Sequence, residues 1–345
     1  MKPGKPLGPV LEGLMRHAMA EHKAGRWRQA EAIYRQVLAD VPGNPSALNL
    51  LGAMLMDQGR DEEALGYLRK AVMNAPAYEA AQTNFGSVLY KLHTAGKREI
   101  AHREARAWSK RQPKNEIARH WAKSLGAALP ESAQGQENRM PDVLVRNAFD
   151  GFADKFDAKL AKLDYRAPGL LAQMLAPRLK GREGSLAVLD AGCGTGLMAP
   201  HLKPWASRLE GADLSERMLE KASQRGLYDH LEAAELTAFL AQRPGAYDLI
   251  AAADVLCYFG SLEQVLGKAS LALRPQGLIA FTVEAAEQGA FTLQATGRYA
   301  HAEAYLRACL EGAGLSLLEL KQDHARTEAG KPVPCFAVAA ERRTD

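Results

Sequence analysis

The chain has 345 residues, 47% hydrophobic and 24% charged, which excludes a disordered chain and exceeds the usual length of one compact domain. No uninterrupted apolar stretch approaches the roughly 20 residues needed to span a bilayer, and Met1 to Pro9 lacks the apolar run of a secretory signal, so no membrane contact is expected and the cytoplasm is the expected compartment. The net charge of +4 hides an asymmetry: residues 1–127 carry 20 Lys and Arg against 12 Asp and Glu, the remainder 24 against 28.

The first segment repeats. Gly25, Ala30, Tyr34 and Pro42 recur 34 positions later as Gly59, Ala64, Leu68 and Pro76, and Gly52 recurs as Gly86. A third copy, displaced by about three residues near Leu92 to Ala95, gives Gly96, Ala101, Trp108 and Pro113, and Asn115 to Leu125 follows as a capping helix. A period of 34 predicts stacked helical hairpins: Ala18, Gly52 and Gly86 let paired helices approach, Ala30, Ala64 and Ala101 receive the next helix, and each proline ends a hairpin. Over residues 11 to 127 the pattern resembles the tetratricopeptide-repeat family, which implies an all-α solenoid over 1–127 that binds a protein partner or protein substrate. Lys91 to Lys123 carries ten Lys or Arg against three Glu. Such an excess is either a solvated face or a surface for an acidic protein segment. No motif for sequence-specific nucleic acid is present.

Residues 128–141 mix Pro, Gly, Ser and polar side chains without apolar period, the composition of a linker. Strands are then expected at 185–190, 208–213, 230–235, 247–253, 277–284, 315–320 and 335–341, with helices between the first five. That alternation predicts an α/β Rossmann-like domain over 142–345. Its seven-stranded sheet is mostly parallel, and the last two strands form an antiparallel edge.

Ligands on such sheets bind beyond the carboxyl ends of the strands. The first strand ends in VLDAGCGTG, where Gly192, Gly194 and Gly196, with Cys193 between the first two, allow a tight turn and a close backbone approach. Asp190 just before them suits an ammonium group better than a pyrophosphate. This run resembles motif I of the class I S-adenosylmethionine-dependent methyltransferases, and the likeness covers about residues 142 to 345. A dinucleotide fingerprint would need a third glycine where Leu197 stands, which disfavours a nicotinamide cofactor.

The resemblance implies S-adenosylmethionine as cofactor, S-adenosylhomocysteine as product, and further roles in order. Asp213, followed by Leu214, would accept the ribose hydroxyls, although an acid ahead of SERMLEKA is also placed for a helix cap alongside Ser215. Met218 would lie against adenine or in the core, and Glu235 and Leu236 would meet the adenine edge unless Glu235 only starts a helix. Asp248 is expected to be structural. Ala253 would lie near the sulfonium, beside Asp254. In the L-x-P-G-G turn before the fifth strand, Gln276 replaces the first glycine. Upstream, FDGFADKFD spaces Phe149, Phe152 and Phe156 as on a helix, either as packing or as a lid in which Phe152 covers the cofactor.

The methyl acceptor is an unidentified small molecule or protein. No N-P-P-Y, D-P-P-Y or Pro-Cys run is present, which disfavours methylation of adenine or cytosine bases. If the acceptor needs a base, the catalytic candidates are Asp254, Tyr258, Glu284 and His301, the last of which can equally be a surface residue at a helix start. Tyr258 and Arg298 can read an aromatic or acidic acceptor. Cys193, Cys257, Cys309 and Cys335 lack metal or disulfide spacing, so no metal is expected. The chain is thus read as an active methyltransferase or, alternatively, as a repeat scaffold whose cofactor domain does not catalyse.

Overall fold

The computed structural model describes residues 8–127, 138–328 and 330–344, and the chain forms two compact units, 1–136 and 137–345. The described part of the first unit is helical: α1 (Pro9–Lys23), α2 (Trp27–Asp40), α3 (Pro45–Asp57), α4 (Asp61–Asn74), α5 (Glu79–Thr94), α6 (Arg98–Arg111) and α7 (Glu116–Ser124). Consecutive helices pair as three hairpins, and α7 closes against α5 and α6. Gly25, Gly59 and Gly96 recur because each turns the chain out of the first helix of its hairpin with φ between 74° and 84°, a conformation costly for other residues. The offset of the third copy lies in α5, which has 16 residues where α3 has 13.

Gly52 meets the side chain of Leu68, to which an added Cβ would come within 2.5 Å. Gly86 instead meets Trp121 of the capping helix. Counted from the helix starts, the third-copy equivalent of Tyr34 and Leu68 is Ala105. Trp108 lies one turn further on, fully buried and edge-on to Phe85 at 5.0 Å.

Of the expected linker, 128–137 lie outside the described residues. Residues 138–140 are part of the second unit: Gly260 N donates to Asn138 O at 2.6 Å and Met140 N to Tyr258 O at 2.9 Å. The second unit continues with α8 (Asp142–Phe152), a 3-10 turn, α9 (Phe156–Lys162), α10 (Ala167–Leu179), β1 (Leu186–Ala191), α11 (Ala199–Leu202), β2 (Ala206–Asp213) and α12 (Glu216–Ser223). Then come β3 (His230–Ala233), α13 (Leu236–Ala241), β4 (Tyr247–Ala252), a 3-10 turn, α14 (Glu263–Ala272), β5 (Leu273–Ala285), β6 (Phe291–Leu293), β7 (Tyr299–His301), α15 (Glu303–Gly312), β8 (Leu315–Glu328) and β9 (Lys331–Arg342).

The order β3-β2-β1-β4-β5 is parallel throughout. β9 adds antiparallel to β5, and β8 to β9. This is a Rossmann-like sheet with an antiparallel edge, and β1, buried along its whole length, reads as an apolar run because both faces are covered. Two three-residue strands depart from expectation: β7 pairs with the end of β5 at Glu284 and Ala285, and β6 pairs with β7. β3 stops at Ala233, short of Glu235, and β8 continues eight residues past Leu320 to Glu328.

Candidate active site

The turns after β1 and β2 meet through one side chain. Asp213 Oδ2 accepts from Gly194 N and Oδ1 from Ser215 N, both at 2.9 Å. Gly192, Gly194 and Gly196 all have positive φ. At Gly192 an added Cβ would strike Val255 at 2.5 Å, whereas at Gly194 it would meet nothing within 4 Å, so the turn is open there. Cys193 in the same turn is buried. Ser215 also caps α12, its hydroxyl accepting from Met218 N at 3.1 Å. The helix cap expected here is thus Ser215, which leaves Asp213 to the turn.

Asp190 is 1% exposed. Its carboxylate accepts a hydrogen bond from Tyr228 Oη at 2.6 Å. Burial pushes its carboxyl up to about 7 in spite of that bond, with the Asp213 charge adding to the rise. A buried carboxylate with a single neutral donor suits a cationic ligand group. Sequence reasoning missed Tyr228, which lies in an unremarkable loop 38 residues away.

Glu235 is the cap of α13: its carboxylate accepts from Thr237 N and Ala238 N, each at 2.8 Å, and pairs with Arg139 at 2.8 Å. Burial pushes its carboxyl up, but the two amides and Arg139 hold it below its usual range. Leu236 packs in the core. Met218 has no exposed surface, so of its two expected roles the structure shows packing. Asp248 is structural, tying Ala187 N to Arg274.

The aromatic lid is corrected. α8 ends at Phe152, and the chain then turns through a 3-10 segment across which Phe149 and Phe156 meet, so Phe152 does not share their face. Phe152 points to solvent, 47% exposed, under Lys159 Nζ at 4.1 Å. Phe149 turns inward, edge-on to Phe156 and to Tyr258, both at 5.8 Å.

A second polar cluster sits beyond β4 and β5. Arg326 of β8, 2% exposed, donates from Nη1 to Asp254 at 3.0 and 3.2 Å, from Nη2 to Glu284 at 2.5 Å and from Nε to Glu328 at 2.6 Å. Arg298 reaches Glu284, Glu328 and the Tyr258 hydroxyl at 3.3 to 3.4 Å and stands over the Tyr258 ring. Burial raises both Asp254 and Glu284, the latter to about 7. Asp254 adopts φ 60°, a strained conformation for a residue with a side chain, and its amide is fixed by Thr282. Asp254, Cys257 and Glu284 bring one potential ligand atom each within 4.8 Å, but the guanidinium of Arg326 already balances the two carboxylates. Tyr165 Oη reaches the carbonyl of Ala253 at 3.4 Å and lines a cavity of about 500 Å³ beside α9 and α10.

His301 is corrected as well. It lies in β7, fully buried, with Nε2 3.0 Å from the carbonyl of Gly260 and its ring stacked on Tyr305. Burial lowers it to about 4, so it is a neutral core residue without access to a substrate.

Residues 159–320 match the family model described as a methyltransferase domain, and residues 15–81 match that of the tetratricopeptide repeat. Methyltransferase-like protein 27 of Homo sapiens is 38% identical over 114 residues, 32% of this chain and 46% of that protein. The malonyl-[acyl-carrier protein] O-methyltransferase of Salmonella typhimurium is 29% identical over 164 residues, 46% of this chain and 62% of that protein. The chain thus spans about half the length of the curated relatives it matches. Among solved structures, magnesium protoporphyrin IX methyltransferase from Synechocystis with bound SAH aligns at TM-score 0.45 and 20% identity, over 58% of this chain and 99% of its own. No described helix is long and apolar enough to cross a membrane.

Proposed function

We propose that this chain, a methyltransferase-domain protein with tetratricopeptide repeats ahead of that domain, transfers a methyl group from S-adenosylmethionine to an acceptor brought to the carboxyl ends of β4 and β5. The observation that carries this reading is the Asp213 carboxylate, fixed by Gly194 N and Ser215 N at the mouth of the two turns. Each oxygen keeps a lone pair for a ribose hydroxyl. Asp190 holds the ammonium end, the open turn at Gly194 receives the amino-acid backbone, and Leu214, Glu235 and Leu236 lie toward adenine. Ala253 and Phe149 flank the reacting end, where the bound sulfonium supplies a methyl carbon activated for displacement and departs as the thioether.

The chain's own task is then to align the acceptor and exclude water. Phe149, Tyr258 and Arg298 form the wall on that side. A proton released by a hydroxyl or ammonium acceptor passes to the cluster of Asp254 and Glu284, whose burial brings Glu284 to about 7. The cytoplasm is the proposed compartment, in keeping with four unpaired, buried cysteines.

The repeat unit serves as a partner module. On α6 and beyond it, Arg103, Arg106, Lys110, Arg111 and Lys114 are exposed, Arg103 lying 3.3 Å from Glu104, and Lys91 and Lys97 are paired with Asp61 and Glu62. This face suits an acidic protein segment. Purified protein incubated with methyl-labelled S-adenosylmethionine and a size-fractionated cell extract tests the activity: label in one fraction identifies the acceptor class, and no label in any fraction favours the non-catalytic scaffold. Reversing Arg103, Arg106, Lys110 and Arg111 to Glu should release the partner at low salt.

A further inference from the structure

The segment from α8 to α9 is fastened to the domain by three acids. Asp150 Oδ1 accepts from the Ser215 hydroxyl at 2.5 Å. Asp154 pairs with Arg217 and Lys221 on α12 at 2.9 and 3.0 Å. Asp157 accepts from the Thr195 hydroxyl and from Arg225 Nη2, each at 2.5 Å, while Arg225 Nε donates to the Thr195 carbonyl. Thr195 belongs to the glycine turn and Ser215 to the acid turn, and both are almost wholly buried, 2% and 0% exposed.

The apolar attachment of the same segment is small. Among residues 142–162 only Leu144, Val145, Ala153 and Leu160 are buried, and α9 stands over the cavity lined by Asp157, Leu160 and Ala161. Its closure is therefore mainly ionic and hydrogen-bonded, with Asp154 and Asp157 half exposed, and such contacts weaken with salt.

We propose that Asp150 and Asp157 are positioning residues: closing this segment fixes the two cofactor turns through Ser215 and Thr195, so that cofactor release requires these two bonds to open. Asp213 joins the turns by accepting from Gly194 N and Ser215 N, and Asp150 and Asp157 hold them through Ser215 and Thr195. Asp154 grips only α12 and touches neither turn. The inference rests on the cofactor reading above and names how that site is opened and shut.

The test uses the whole chain, S-adenosylhomocysteine as probe, and Asp150→Asn, Asp157→Asn and Asp154→Asn, which remove the same charge from the same segment. Dissociation is followed by stopped flow at low and high sodium chloride, and folding by the melting temperature without ligand. Loss of one charge-assisted bond to a turn should speed release by about fivefold or more in the first two variants, and by less than about twofold in Asp154→Asn. Release from the parent should quicken with salt, Asp157→Asn, which loses the pair with Arg225, should lose part of that dependence, and both turn variants should melt close to the parent. If Asp154→Asn releases the probe as fast as the turn variants, or if all three match the parent, the positioning role is overturned. A parent that binds no probe at all overturns the cofactor reading itself, an outcome distinct from the other two.

Discussion

The amide of Gly194 donates to Asp213 Oδ2 at 2.9 Å, so the carboxylate that ends β2 also fixes the turn that follows β1. Asp213→Ala leaves two inward amides without their acceptor, at a cost of about 1–3 kcal/mol each if water cannot replace it. The ligand-free variant should unfold at lower denaturant than the parent and bind S-adenosylhomocysteine at least about tenfold more weakly. Parent-like affinity in a folded variant would remove Asp213 from the site.

Asp190 gives the site a pH dependence. Its folded value of about 7 lies above the ordinary 3.8, so the fold favours its protonated form. Its contribution to stability is then largest below about pH 4 and falls as pH rises toward about 7. Binding runs the other way, because an ammonium group is held by the carboxylate. Affinity for S-adenosylhomocysteine should rise with pH up to about 7 and level off above it. Tyr228→Phe removes the bond that favours the charged form and should move that rise to higher pH, as calorimetry across the range would show. A flat profile in both proteins would count against Asp190 as the ammonium ligand.

Arg326→Ala should be the most damaging single change in the second unit. It takes the guanidinium from Asp254 and leaves Glu284 with Arg298 alone, and breaking a buried pair in this way typically costs about 3–5 kcal/mol. The Asp254 and Glu284 carboxyls, already raised by burial, would hold protons more tightly than in the unfolded chain, so the variant should regain stability as pH falls from about 8 to about 5. Denaturant midpoints measured at both ends check the sign.

Gln276 adopts φ 61° in the irregular first residues of β5, where the related pattern has glycine. Gln276→Gly should relieve this strain and raise stability by about 0.5–1 kcal/mol, less the added freedom of the unfolded chain. An unchanged or lower melting temperature would show that the neighbouring contacts already absorb the cost.

In the repeat unit, Gly86→Ala would place a Cβ 1.9 Å from the indole nitrogen of Trp121, and Trp121 is itself buried. Overpacking of this kind costs about 1–3 kcal/mol. Thermal unfolding should show the loss, and substitution of Trp121 by Leu in the same chain should reduce it.

The features legible in sequence were those with a local signature. The 34-residue period follows from glycines that end helices and small residues where helices touch. The glycine turn with Asp190 and Asp213 shows because strand ends and turns constrain residue type locally. What escaped depended on direction or distance. Phe149 rather than Phe152 faces inward, and Phe152 stands exposed as the last residue of α8, which spacing alone does not reveal. The burial of His301 escaped because β6 and β7, three residues each, are too short to show a strand pattern. Arg326 meets Asp254 across 72 positions only because β8 runs on to Glu328.

Calorimetric titration of S-adenosylhomocysteine into the 345-residue chain, with NAD titrated in parallel, tests the cofactor assignment most directly. Saturable binding at one site per chain with a Kd near the micromolar range, about −8 kcal/mol, and no heat from NAD is the predicted result. Binding of NAD, or no binding of S-adenosylhomocysteine by a folded chain, would contradict it.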